Sequence, residues 1–363
     1  MKKITSMILA LVFAVSLIGS ASAKTLKIQL TFPKTSYDGQ IVKMWTDRVT
    51  KLTRGELKFE LLSKGEVVGL KETLEAVDKG LVDGGAAWTH YWSNYHPAAM
   101  LFGSPVAGGG IGLSTKSWLA WYFDNGGMEL YDQLWDEMGM NVKGFVMASS
   151  GPEALGWFSE SIASMDDFRK YRFRAPPGMV GQAYKDIGVA SVAMGGGDIL
   201  PALEKGTIDA AEWCCPVADM AFGFQKVLKH YYLQGLHQVV VNADLYVNGD
   251  FYDALTDTEK KALEVAANAS LSKSMSYRIL ANGKALKDLT DNHGVILHDT
   301  PADYFPAYMG AAKALLEKGA EENEFFAEVW QSQKDFADVA VPFWAGAQAS
   351  NAALGKAHAD SLK

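Results

Sequence analysis

A ten-residue pattern occurs twice in this chain. Residues 74–83 read LEAVDKGLVD and residues 200–209 read LPALEKGTID. Aligned without gaps, leucine, alanine, lysine, glycine and aspartate recur in place, with Val/Leu, Asp/Glu and Val/Ile exchanges between them. Each copy predicts a helix closed by a Lys-Gly C-cap, at Gly80 or Gly206, with a short strand entered at once. Each then runs through small residues to an aromatic, Trp88 or Trp213. The separation of the copies is too long for a solenoid period. It predicts two similar α/β lobes facing each other across a cleft.

Residues 1–23 have the physical form of a cleavable signal peptide. Lys2 and Lys3 are followed by an apolar stretch over 7–18, and Ala21-Ser22-Ala23 forms an A-x-A cleavage site. The apolar stretch is too short to span a bilayer. Export to a periplasm is therefore expected, with the mature chain starting at Lys24. The remaining chain is long enough for two domains with full cores. The formal charge is −8, and loss of the leader removes two lysines and no acid. Such an acidic chain without a basic tract is no nucleic-acid binder, and any anion site must be a local basic feature. Cys214 and Cys215 are the only cysteines and are adjacent, so no disulfide framework exists. They read as reduced and buried.

Strand and helix patterns alternate along the chain. Residues 25–31 and 57–62 predict strands, and 36–54 and 65–80 predict helices, which together imply a largely parallel sheet. Residues 107–111 (AGGGI) predict a flexible loop, and 118–138 an aromatic-rich helix. A strand over 142–147 ends at Ser149-Ser150-Gly151-Pro152, and a second round begins. Its strands are predicted at 171–174 and 191–194. Residues 231–242 predict a strand crossing back to the first lobe. Thr256-Asp257-Thr258-Glu259 is a capping-box pattern opening a long helix toward Leu289, placed to brace both lobes. A short strand at 295–297 and helices over 306–319 and 322–339 close the chain. The lobes are expected to comprise residues 24–149 with about 239–280, and 150–238 with about 281–363.

Enzyme signatures are absent: there is no G-x-S-x-G, P-loop or H-E-x-x-H. Glu153 and Glu212 are the one pair that a secreted glycosidase-type hydrolase could use. Arg174 is more pointed. It ends a predicted strand before Ala175-Pro176-Pro177-Gly178, where α/β sheets place ligand groups. Its planar guanidinium offers two parallel donors to a carboxylate or sulfonate. Glu212-Trp213 follows the second repeat at a similar strand end, and Trp88-Thr89-His90-Tyr91-Trp92 follows the first. Aromatics at two opposed strand ends would wall a small pocket.

The motifs FRKYRFRAPPG and VAMGGGDILPALEKGTIDAAEW lie within 167–213, and the likeness extends to LEAVDKGLVDGGAAW and VNGDFYDALTDTEKKAL. On these the chain resembles the solute-binding proteins of tripartite ATP-independent periplasmic (TRAP) transporters, over essentially the whole mature sequence. The resemblance implies two α/β lobes that close on a solute and deliver it to the membrane transporter subunits, not an enzyme. It is nearest to the branch that binds 2-oxo and 2-hydroxy acids, some with a cation. The family arginine that pairs the ligand's acid group falls on Arg174. The glutamate and tryptophan whose oxygens can hold Na⁺ or Ca²⁺ fall on Glu212 and Trp213. Two departures stand out: Glu153 where that branch has a glutamine, and Gly235-Leu236-His237-Gln238 where it has a Gly-Trp-Trp segment. The implied site is thus Arg174 as anchor with Tyr91, Trp92 and Trp213 around a small organic anion. Glu153, Glu212, Trp213 and Gln238 are the candidate cation ligands. A sulfonate such as isethionate is the alternative solute.

Overall fold

The computed structural model describes residues 24–361, so the leader expected over 1–23 lies outside the described residues. The strands are β1 (Lys24–Leu30), β2 (Leu57–Leu62), β3 (Gly84–Trp88), β4 (Val142–Ser150), β5 (Gly156–Phe158), β6 (Arg172–Ala175), β7 (Ala190–Ala193), β8 (Ala210–Ala211), β9 (His230–Tyr232), β10 (Val241–Asn248) and β11 (Ile296–His298). They form two sheets, ordered β2-β1-β3-β10-β4 and β11-β9-β5-β8-β6-β7.

The two sheets repeat one plan. β1 pairs in parallel with β2 and β3, and β6 pairs in parallel with β7 and β8. The strand ending each sequence repeat then meets an antiparallel neighbour, β10 for β3 and β5 for β8. Each sheet is therefore mixed, which corrects the expectation of largely parallel pairing.

The repeated residues explain the equivalence. Gly80 and Gly206 sit in the left-handed region, with φ of 67° and 66°, where a side chain is strained. Their turns close alike: the Leu81 amide donates to Ala76 O at 2.8 Å, and the Thr207 amide to Ala202 O at 2.9 Å. Each repeat aspartate then fastens its strand to the neighbour. Asp83 accepts from the Lys27 amide at 2.7 Å, and Asp209 from the Arg172 amide at 3.3 Å.

Sequence neighbours cross between the sheets twice. β4 ends at Ser150 in the first sheet and β5 opens at Gly156 in the second; β9 ends at Tyr232 in the second and β10 opens at Val241 in the first. The single strand expected over 231–242 is thus two strands in different sheets, joined by the crossing segment. A third connection is the 36-residue helix Asp257–Asn292, whose N-cap Thr256 forms the expected capping box with Glu259. Near its start Leu263 O accepts the Trp45 indole N–H at 3.1 Å, and Ser274 Oγ accepts the Ser149 amide of β4 at 3.2 Å. Farther along, Asn282 Oδ1 accepts the Val217 amide beyond β8 at 3.1 Å, and Leu289 enters the second sheet's core. The helix braces both halves.

Four local expectations change. The helix expected over 65–80 occupies only Thr73–Asp78. The aromatic helix over 118–138 is two helices, Thr115–Asp124 and Gly127–Glu137, broken where Gly126 turns left-handed at φ 80°. The AGGGI loop is a buried turn: the Trp330 indole donates to Gly109 O at 2.9 Å, and a Cβ on Gly108 would lie 2.3 Å from Leu113 O. The closing helices run farther than expected, as Tyr304–Glu322 and the 37-residue Glu324–Asp360. Among the described residues no helix is long and apolar enough to cross a membrane.

Candidate functional site

The site assembles where the second sheet meets the two crossings. Arg174 lies near the end of β6 and is 5% exposed. Its Nη1 donates to Glu212 O at 2.9 Å and to the Glu212 carboxylate, while Nε and Nη2 donate to Met194 O at 3.3 and 3.2 Å. Glu212 directly follows β8, and its amide donates to Arg174 O at 3.2 Å. The parallel pairing of β6 with β8 therefore delivers guanidinium and carboxylate together, and burial strengthens their attraction. The Trp213 ring lies beneath the guanidinium, 5.4 Å from centroid to Cζ. Gly196 permits this placement, because a Cβ there would come within 2.7 Å of that ring.

The first crossing brings Glu153 and the second brings His237 and Gln238. The two crossings are tied together, since the Glu153 amide donates to Gln238 O at 3.0 Å. Glu153, Glu212 and His237 are all buried, and each can place one ligand atom within 4.8 Å of the other two. His237 Nε2 lies 3.5 Å from Glu212 Oε2 and 4.0 Å from Glu153 Oε2. Burial, reinforced by the neighbouring Glu212 carboxylate, pushes the Glu153 carboxyl well above the usual carboxylate range. Tyr91 comes from the turn after β3 and is half-buried. Burial, with the Glu153 carboxylate adding to it, pushes its phenol up to about 12.

Two of the expected residues stand elsewhere. Trp92 is 1% exposed and packs at 6.3 and 6.0 Å against Tyr95 and Tyr246, in the core of the first half rather than beside Arg174. The Gln238 side chain donates to Ser104 Oγ at 3.0 Å, so its amide is engaged away from the two glutamates. The imidazole of its neighbour His237 faces them instead. Sequence reasoning passed over His237 although it had marked the Gly235–Gln238 segment as departing from the family pattern. Arg278 was also passed over. It reaches from the long helix to Asp38 at 3.2 Å and lies 3.7 and 3.6 Å from the free thiols of Cys214 and Cys215. Cys215 is buried and Cys214 half-buried.

A buried guanidinium among two carboxylates, an imidazole and aromatic walls is suited to holding a small anion together with a cation. The model of the family DctP, bacterial extracellular solute-binding protein family 7, matches residues 30–323. A monocarboxylate 2-oxoacid-binding periplasmic protein of Nostoc sp. is 29% identical over 290 residues, covering 80% of this chain and 77% of the relative. A TRAP transporter solute-binding protein of Bordetella bronchiseptica, solved with calcium and picolinate, superposes with a TM-score of 0.84 at 24% identity, covering 94% of this chain and 99% of that one. A TRAP periplasmic solute-binding protein of Colwellia psychrerythraea, solved with calcium and pyruvate, gives 0.81 at 25% identity, covering 92% and 100%. The hydrolase alternative for Glu153 and Glu212 falls with this assignment, because the family consists of receptors. The repeated α/β plan, the strand-end arginine and the family match over most of its length place this chain in the DctP family of bacterial extracellular solute-binding proteins, the solute receptors of TRAP transporters.

Proposed function

We propose that this receptor captures a small 2-oxo or 2-hydroxy monocarboxylate with a cation and presents it to TRAP membrane subunits. The observation that carries the reading is the buried Arg174–Glu212 pair with Glu153 facing it. With both buried carboxylates ionised the site would carry an excess of negative charge over the one guanidinium, so ionising Glu153 beside an anionic ligand needs a further positive charge. A cation shared by Glu212 and Glu153 offsets that charge, and the ligand's acid group takes the guanidinium donors that otherwise serve the Met194 carbonyl. The Trp213 carbonyl is a further oxygen ligand, and Tyr91 and Trp213 wall the solute. The binding of 2-oxo acids by the Nostoc relative, and of pyruvate with calcium by the Colwellia protein, supports this class.

In this reading residues 1–23 direct export and are cleaved after Ala23. The lobes are 24–149 with about 239–280, and the remainder, hinged at the two crossings.

Calorimetry on the mature chain with pyruvate, a 2-hydroxy acid and isethionate, each with and without a chelator, tests the reading. Pyruvate-class acids should bind, and chelation should weaken them. Arg174→Lys keeps the charge but loses the planar fork, a loss of about 1.5–3 kcal/mol, or roughly tenfold to over a hundredfold in affinity. Wild-type affinity in that variant would remove Arg174 from the site. Binding of isethionate with no response to any 2-oxo acid would replace the monocarboxylate by a sulfonate.

A further inference from the structure

We propose that the cation site of this receptor takes a first-row divalent metal of the zinc and cobalt class, through Glu153, Glu212 and His237, rather than Ca²⁺ or Na⁺. The inference rests on the receptor reading above and names the cation that accompanies the solute.

Three observations carry it. First, His237 is fully buried, and neither ring nitrogen has a hydrogen-bond partner among the described residues. Glu153 Oε2 and Glu212 Oε2 are likewise buried without partners. Leaving several buried polar atoms unpaired is costly, so a common partner at their centre is strongly favoured.

Second, the spacing is wrong for hydrogen bonds and right for a shared ion. The His237 to glutamate distances of 3.5 and 4.0 Å exceed hydrogen-bond length. Ligand atoms about 2.0–2.2 Å from one tetrahedral ion stand roughly 3.3–3.6 Å apart, which small side-chain shifts reach.

Third, the donor set selects the metal. Calcium and sodium favour oxygen alone, whereas imidazole suits zinc, cobalt, nickel and iron. Glu212 is held from outside by Arg174, as an outer-shell partner fixes a metal ligand. Two glutamates and one histidine leave coordination positions open. A 2-oxo or 2-hydroxy acid fills two of them, with one carboxylate oxygen and the adjacent oxo or hydroxyl oxygen.

The mature protein, stripped of metal with a chelator, is titrated with Zn²⁺, Co²⁺ and Ca²⁺ by calorimetry, and Co²⁺ binding is followed by its visible absorption. One Zn²⁺ or Co²⁺ should bind at least about a hundredfold more tightly than Ca²⁺, with a cobalt band of four- or five-coordinate intensity. His237→Gln should lose at least about a hundredfold in Zn²⁺ and Co²⁺ affinity, beyond what outer-shell losses cost, and change Ca²⁺ affinity little. Calcium binding as tight as zinc, or an unchanged cobalt spectrum in His237→Gln, overturns the proposal. Should that variant fail to fold, Glu153→Gln serves, and retention of full Co²⁺ affinity there overturns it equally. Pyruvate binding is measured alongside. Binding that requires Ca²⁺ and is not supported by Zn²⁺ removes the metal assignment and leaves the receptor reading standing. Zinc preference without binding of any acid keeps the metal assignment and removes the ligand class.

Discussion

Asp244 lies on β10 in the first sheet and is fully buried. Thr89 Oγ1 donates to one of its oxygens, and the Tyr131 hydroxyl lies beside the carboxyl. Burial pushes its carboxyl from 3.8 up to about 7. The folded state therefore holds a proton that the unfolded chain releases near pH 4. Stability contributed by that proton is whole below about pH 4 and is lost as pH rises to about 7, on the order of a few kcal/mol in all. Asp244→Asn keeps the shape without the titration. Chemical denaturation from pH 4 to 8 should show a flatter profile for the variant than for the parent, and an identical slope would mean that Asp244 does not titrate in this range. At this scale the sequence was informative only where the local pattern decided the outcome. Arg174 could be read because a strand end before two prolines points its side chain at the sheet's ligand edge. Trp92 could not, because what buries it is Tyr246, from a strand more than a hundred residues later. His237 could not either, because its partners arrive from β8 and the first crossing.

Among the elements, the C-terminal helix Glu324–Asp360 divides sharply by burial. Phe325, Phe326, Val329, Trp330, Gln333 and Ala337 are buried, and the Trp344 indole still donates to Ser114 Oγ at 3.0 Å. Beyond Trp344 the described residues are exposed or only partly covered, and Leu354 is 71% exposed. A segment that buries so little adds little to folding free energy. Deleting residues 346–363 should therefore leave the thermal midpoint and solute affinity within error of the parent, as differential scanning fluorimetry and calorimetry would show. A large fall in the midpoint would reveal a contact partner for this half of the helix. Its length was hidden in the sequence because alanine, glutamine and lysine favour helix without marking a buried face. The repeat units were the opposite case. Their glycine caps and strand-locking aspartates act within a few residues of one another, so helix, turn and strand could all be placed from the pattern. Sheet order lay beyond it, because the antiparallel entries of β5 and β10 come from chain that has just left the other sheet.

For the whole molecule, the buried site raises a question of access. Arg174 is 5% exposed, and Glu212 and His237 are fully buried, so a solute cannot reach them in this arrangement. The path between the halves runs through two short crossings and the long helix, and all three can bend without breaking either sheet. Polar contacts tie the halves at Arg278 to Asp38, 3.2 Å, and Asn323 to His96, 3.2 Å, while the closing helices pack Leu316, Phe325 and Trp330 into one apolar cluster with residues of the first half such as Phe102 and Trp118. Separating polar contacts of this kind costs little when water replaces them, whereas parting the apolar cluster would cost far more. Opening on the polar side, with the apolar cluster kept, is the lower-cost motion, and a ligand that bonds to both halves shifts the population toward closure by its differential affinity. Small-angle scattering of the mature, solute-free protein should give a radius of gyration above the value calculated from the structure. Adding cation and 2-oxo acid should bring it down to that value. A solute-free profile already matching the closed shape, unchanged at saturation, would mean that entry depends on local movement of side chains such as Tyr91 and Trp213 rather than on parting of the lobes.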